Sequence, residues 1–116
     1  MILDTVNRTL EIDLAGSVTT NQLPVTVFYS ECDDAAEQVT PAPERSLTNN
    51  TTAVTILSAP ASNNQRVVDS INVYNADTVA ATVTIQFNDN GTIAILKKKT
   101  LASGETLAWT RGSGWG

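Results

Sequence analysis

Histidine is missing from this 116-residue chain, and cysteine and methionine occur once each, as Cys32 and Met1. Without an imidazole there is no Ser-His-Asp or Cys-His catalytic apparatus. Zinc centres draw on histidine or on several cysteines, so none is expected. One cysteine closes no internal disulfide. Cys32 reads as a free buried thiol, the commoner state of a lone cysteine, or as a link between chains. Charge is also scarce. Charged residues make up 16% of the chain, against roughly 25% in ordinary soluble proteins. Only seven residues are Lys or Arg against twelve Asp or Glu, a formal net charge of −5. An acidic chain this poor in cations lacks the clustered Lys and Arg that grip phosphates, so nucleic acid is not an expected partner. Aromatics reach 5%. No apolar run approaches the ~20 residues needed to span a bilayer. The start, MILDTVNRTLEIDL, has no cationic n-region and no long apolar stretch, so neither a secretory signal nor a membrane partner is expected.

What is abundant is Thr, Val, Ile, Asn and Ser. Branched Cβ atoms favour a pleated surface over a helix. The run Ala81-Thr82-Val83-Thr84-Ile85-Gln86-Phe87 alternates apolar and polar residues, which puts one face on a core and the other in water. Asn88-Asp89-Asn90-Gly91 follows, a hairpin turn signal because Asn and Gly tolerate positive φ. The return strand spans about 92–100. It carries Ile93 and Ile95 on one face and Ala94 and Leu96 on the other, so its start is apolar on both sides and calls for cover by another element or chain. Further strands are predicted over 9–15, 22–30, 52–58, 66–74 and 106–110, with Leu10, Ile12, Leu14, Ile71, Val73, Leu107 and Trp109 inward. Pro24 belongs at an edge or a strand start. Seven or eight short strands in one domain over 1–116 predict an all-β Greek-key sandwich, immunoglobulin-like or jelly-roll. Residues 31–50, acidic and holding Pro41 and Pro43, read as a long crossover loop, with one helical turn at 33–38 capped by Asp.

Charge divides unevenly. Residues 1–58 hold eight acids and two bases, and the remainder four acids and five bases. Lys97-Lys98-Lys99 is the one basic run. It reads either as an exposed strand end that resists edge-to-edge pairing or as a contact for an acidic surface, such as the acidic loop of a neighbouring copy. The stretch 88–91 fails as a calcium loop, since an EF-hand would need an acid at Gln86 and a Glu at Lys97. Glu31, Asp33, Asp34 and Glu37 could offer oxygen ligands to calcium, but the plainer reading is an acidic solvated loop. Trp109 and Trp115 could form a small sugar platform. The plainer reading puts Trp109 in the core and has Trp115 anchor the tail or make a contact.

One resemblance rests on particular residues. The stretch TTAVTILSAPASNNQRVVDSINVYNADTVAATVTIQFNDNGT and the following TLASGETLAWTRGSGWG carry a "TTAVTxLxAP" strand, the pair Gln65-Arg66, the "VYNADTVAATVTIQ" core and an "LxxGExL" turn before a Trp. This pattern resembles a family of small β proteins of tailed bacteriophages, found among virion structural genes. The resemblance covers residues 51–116 well and 1–30 loosely; 31–50 depart from it. It implies a non-enzymatic virion protein without cofactor or metal, made in the host cytoplasm and held on the capsid surface. The expected role is capsid decoration: binding the outer face of the assembled major capsid protein and strengthening the shell, as a homo-oligomer such as a trimer. The alternatives are a neck, tail or head-fibre component, or a carbohydrate-binding module on the virion. Expected contact residues are Ile2, Leu3, Ile93, Ile95, Leu96, Lys97, Lys98, Lys99 and Trp115.

Overall fold

The computed structural model describes residues 1–116, which form ten strands and no helix: β1 (Ile2–Leu3), β2 (Arg8–Leu14), β3 (Pro24–Asp33), β4 (Gln38–Leu47), β5 (Val54–Leu57), β6 (Asn64–Tyr74), β7 (Ala81–Asp89), β8 (Thr92–Leu101), β9 (Thr106–Thr110) and β10 (Gly114–Trp115). One antiparallel sheet runs β10-β9-β6-β3-β4, with β1 also on β6; the other runs β5-β2-β7-β8. The two pack face to face as a sandwich. β5 returns to lie beside β2, and β6 beside β3, which are Greek-key returns.

The period-two alternation does the sorting. Leu10, Ile12 and Leu14 of β2 and Val83 and Ile85 of β7 face Val25 and Val27 of β3, Val68, Ile71 and Val73 of β6 and Leu107 of β9; all are buried. Removing each such side chain from water contributes about 1.5–3 kcal/mol before the entropy of ordering the chain is counted. The hairpin expected after Phe87 forms. Asn90 and Gly91 are its two loop residues, at φ 52° and 96°. Positive φ at both marks a type I′ turn, whose twist matches that of the flanking strands.

The crossover loop over 31–50 is not there. Its first part extends β3 to Asp33, and its later part is the ten-residue β4, paired with β3 from Pro24↔Leu47 to Asp33↔Gln38. Acidic residues and prolines suggested a loop, but they fall where a hairpin accepts them. Asp33 accepts the Ala35 and Ala36 amides at 3.0 and 3.1 Å, closing a tight turn where a helical turn was expected. Pro41 and Pro43 face Ser30 and Phe28 on an edge strand, two residues apart, so both nitrogens fall on the free side, where a missing N–H costs the ladder nothing. The chain crosses between sheets later. There Thr48 and Asn50 exchange hydrogen bonds with Gln22, and Thr48 with Leu23.

The opposite crossover, after β6, is held by a buried polar cluster. Asn75 donates to the carbonyls of Val79 and Leu101, both at 3.0 Å, and accepts the Asp77 amide at 3.0 Å. Asp77 in turn accepts the amides of Thr19, Thr20 and Asn21 at 2.8, 2.7 and 3.2 Å, tying the β2–β3 connection to the β6–β7 turn. The Thr19 amide chiefly, with those of Thr20, Asn21 and Thr78, outweighs the opposing effect of burial and lowers the Asp77 carboxyl to about 2 from an ordinary 3.8. A folded value below the unfolded one means that these bonds stabilise the fold above pH 3.8. That contribution is lost as pH falls from 3.8 towards 2. Melting temperature followed down through this window should therefore fall more steeply for the native chain than for Asp77→Asn. Parallel curves would show that the carboxylate charge has no part in holding the connection.

Candidate docking surface

The expected contact residues do not form one patch. On β1 the side chains alternate: Ile2, opposite Val67, is 53% exposed, and Leu3 is fully buried in the core. Leu3 is therefore a core residue and not the contact expected of it, because a two-residue strand laid on β6 must send one of its side chains inward. Trp115 lies opposite Trp109 in the β9–β10 pair. Both are half-buried and pack against the core, so Trp115 anchors the chain end and the two indoles form no open platform.

β8 carries the rest. Opposite the outward-facing Gln86 and Asn88 of β7 stand Ile95 and Ile93, and opposite the inward-facing Phe87 stands Ala94. The pairing then slips: Gln86 faces Ile95 whereas Ile85 faces Lys97, leaving Leu96 as the extra residue of a β-bulge. Ile95 is 64% exposed and Ile93 46%, with Leu96 also exposed and nothing covering them. The expected cover is absent from this chain. Past the bulge, Lys97 and Lys99 fall on the side of Ile85 and Val83 and are half-buried, whereas Lys98 lies opposite Thr84 on the outer face. Inward-pointing charge at a sheet edge is a recognised guard against pairing, so this half of β8 fits the protective reading.

The outer face beside β8 is polar and acidic. Glu11 accepts from Gln86 Nε2 at 2.9 Å and Asn88 Nδ2 at 3.1 Å. Burial, and then the charge of Glu11, push the Asp13 carboxyl up, while Lys98 pulls it back. No lysine makes a salt bridge within the chain; every ion pair uses an arginine, at Arg8, Arg66 or Arg111.

Ile2 lies on the outer face of the other sheet, across the molecule from Ile93 and Ile95. That face also carries exposed apolar side chains of β3 and β4, where a loop was expected. Phe28 opposite Pro43, Val39 opposite Cys32, and Leu47 opposite Pro24 all lie there, with Phe28, Val39 and Leu47 about half or more exposed. The signal was present in the sequence as alternation: Val39, Pro41, Pro43 and Leu47 share one parity. Cys32 belongs to the same face, free and half-buried.

No three His, Cys, Asp or Glu side chains converge as a metal site would require. A hollow of about 390 Å³ lies among Asp4–Val6, Asp34 and Ser62–Gln65. Its only ionisable groups are Asp4, paired with Arg8, and Asp34. A second hollow, of about 280 Å³, has Asp77 as its sole ionisable group, already engaged by backbone amides. Arg66, from the Gln65-Arg66 pair, is a structural hub. It bonds Glu31 at 2.7 Å and the Ser58 carbonyl at 2.9 Å, and stacks 4.8 Å from the centre of the Tyr29 ring.

Together these features define an all-β sandwich whose distinctive chemistry is on its outside. Comparison with protein-family models, with curated proteins and with solved structures gives no match.

Proposed function

We propose that this chain is a decoration protein of a tailed-bacteriophage capsid, binding the outer surface of the assembled shell and strengthening it. One observation supports this most: the two outer faces of the sandwich each carry exposed large apolar side chains, Ile93 and Ile95 on one and Phe28, Val39 and Leu47 on the other. Large apolar side chains left exposed at neighbouring positions of one strand, such as Ile93 and Ile95, offer anchors for contact with another protein. Two such surfaces on opposite sides suit a subunit set between neighbours in a lattice. A ligand that binds only the assembled state stabilises it by mass action, and repetition over the shell adds avidity. The scarcity of charge favours dense packing of copies, since repulsion between them is small.

Shells purified without this chain and then supplied with it should rupture at a higher temperature than unsupplied shells. The Ile95→Lys variant should fold normally, fail to sediment with the shells and leave their rupture temperature unchanged. Failure of the native chain to sediment with shells would overturn the proposal. Gel stoichiometry of intact particles separates this role from a neck, tail or head-fibre one. A decoration protein holds a fixed ratio to the shell subunit, and the others are present in a few copies.

A further inference from the structure

We infer that the Thr92–Ile95 half of β8 is an open edge that accepts an acidic, extended segment of another protein as an added strand; this rests on the binding role proposed above. The outermost strands are β4, β1 and β10 in one sheet and β5 and β8 in the other, and all but β8 are blocked or short, β1 having two residues. β4 has Pro41 and Pro43, which offer no donor. β5 has four residues, and its neighbourhood is taken by Ser46 bonding the Thr55 carbonyl and Glu44 bonding Ser58. β10 has two residues. β8 has ten residues, no proline and no neighbour beyond β7.

The hairpin geometry says which groups are free. In a two-residue I′ hairpin the residues flanking the loop, here Asp89 and Thr92, form a hydrogen-bonded pair. Antiparallel pairs alternate, so Ala94 also bonds to β7, while Ile93 and Ile95 direct their N–H and C=O groups to the open side. Their side chains are the exposed apolar ones. Backbone donors, acceptors and apolar anchors thus coincide over the uncharged half of the strand, the combination that strand addition uses.

Charge selects the occupant. Lys97, Lys98 and Lys99 follow immediately, and none is in a salt bridge within the chain. A second copy docked β8 to β8 in parallel would bring the two lysine runs together, and like charges across a pair destabilise it; docked antiparallel over Ile93 and Ile95 it would set each lysine run against the other copy's hairpin turn, whose one carboxylate, Asp89, is already paired with Arg8. The remaining edges of a second copy are blocked or short. A foreign strand with carboxylates facing the lysines and small apolar residues beside Ile93 and Ile95 meets neither obstacle.

The test is amide hydrogen exchange by NMR on the full chain, with synthetic peptides alternating valine with glutamate or valine with lysine. At millimolar glutamate peptide the Ile93 and Ile95 amides should become protected, the Ala94 amide should not change, and the lysine peptide should have no effect. Ile95→Pro should abolish the protection; Ile95→Asp, which retains every β7 bond and sets a like charge against the glutamate peptide, serves if the proline variant does not fold. Absence of protection, or equal protection by the lysine peptide, overturns the inference. So does protection that grows with protein concentration alone, which would make a second copy the occupant. Sedimentation with shells is read separately: native chain that sediments with shells but shows no peptide protection removes strand addition and leaves the decoration role standing.

Discussion

Asn75→Ala should destabilise the protein by about 3 kcal/mol, the largest effect expected of a polar substitution. Alanine retains the backbone bonds at this position, from the Asn75 amide to Glu105 and from the Gly104 amide to Asn75. It removes the side-chain amide, which is fully buried and satisfies the carbonyls of Val79 and Leu101 and the amide of Asp77. Each buried group left without a partner costs about 1–3 kcal/mol, and water entering the space recovers part of it. Loosening Asp77 also weakens its hold on residues 19–21, so the damage spreads across both connections. For a domain of this size the melting temperature should drop by roughly 10–20 °C, measured by circular dichroism. A loss below about 1 kcal/mol would show that these groups find other partners easily and that the cluster is not a keystone.

The second large effect comes from one chemical change made at two places. Ile71→Ala should cost about 3–4 kcal/mol, whereas Ile95→Ala should stay within about 0.5 kcal/mol of the native chain. Ile71 is fully buried on β6, flanked by Val27 of β3 and Trp109 of β9, and its loss leaves a cavity between the sheets. Ile95 is 64% exposed and touches solvent already. Urea denaturation of both variants gives the comparison directly. A substantial loss at Ile95 would mean that the residue supports the fold, which would count against its being kept exposed for a partner.

The seven strands expected from alternation all form, displaced by a few residues at their ends: 9–15 became Arg8–Leu14, 66–74 became Asn64–Tyr74, 106–110 became Thr106–Thr110. Alternation survives translation into structure because each side chain's face is decided locally, by the pleat. The missed elements are those whose local signals pointed elsewhere. β4 contains two prolines and follows four acids, and such a segment is a strand only because β3 is beside it and its outer edge is free. β1 and β10 are two residues each, below any pattern's reach.

The candidate surface divides in the same way. That Ile93, Ile95 and the lysines lie on one strand was legible, as was the excess of apolar residues there. That Leu3 belongs to the core was not, nor that Leu96 sits in a bulge which turns Lys97 and Lys99 towards the core side and leaves Lys98 outside. A bulge is set by the match between two strands, and one strand's residues do not reveal it.

By itself, then, the sequence determined the all-β class, the inward face of each long strand and the poverty of reactive groups, because pleat and composition are properties of neighbouring residues. Tertiary structure alone decided which edges are open, which apolar residues remain outside and what Asn75, Asp77 and Arg66 hold together. Those depend on residues far apart in the chain being brought to one place, and no local pattern encodes the meeting.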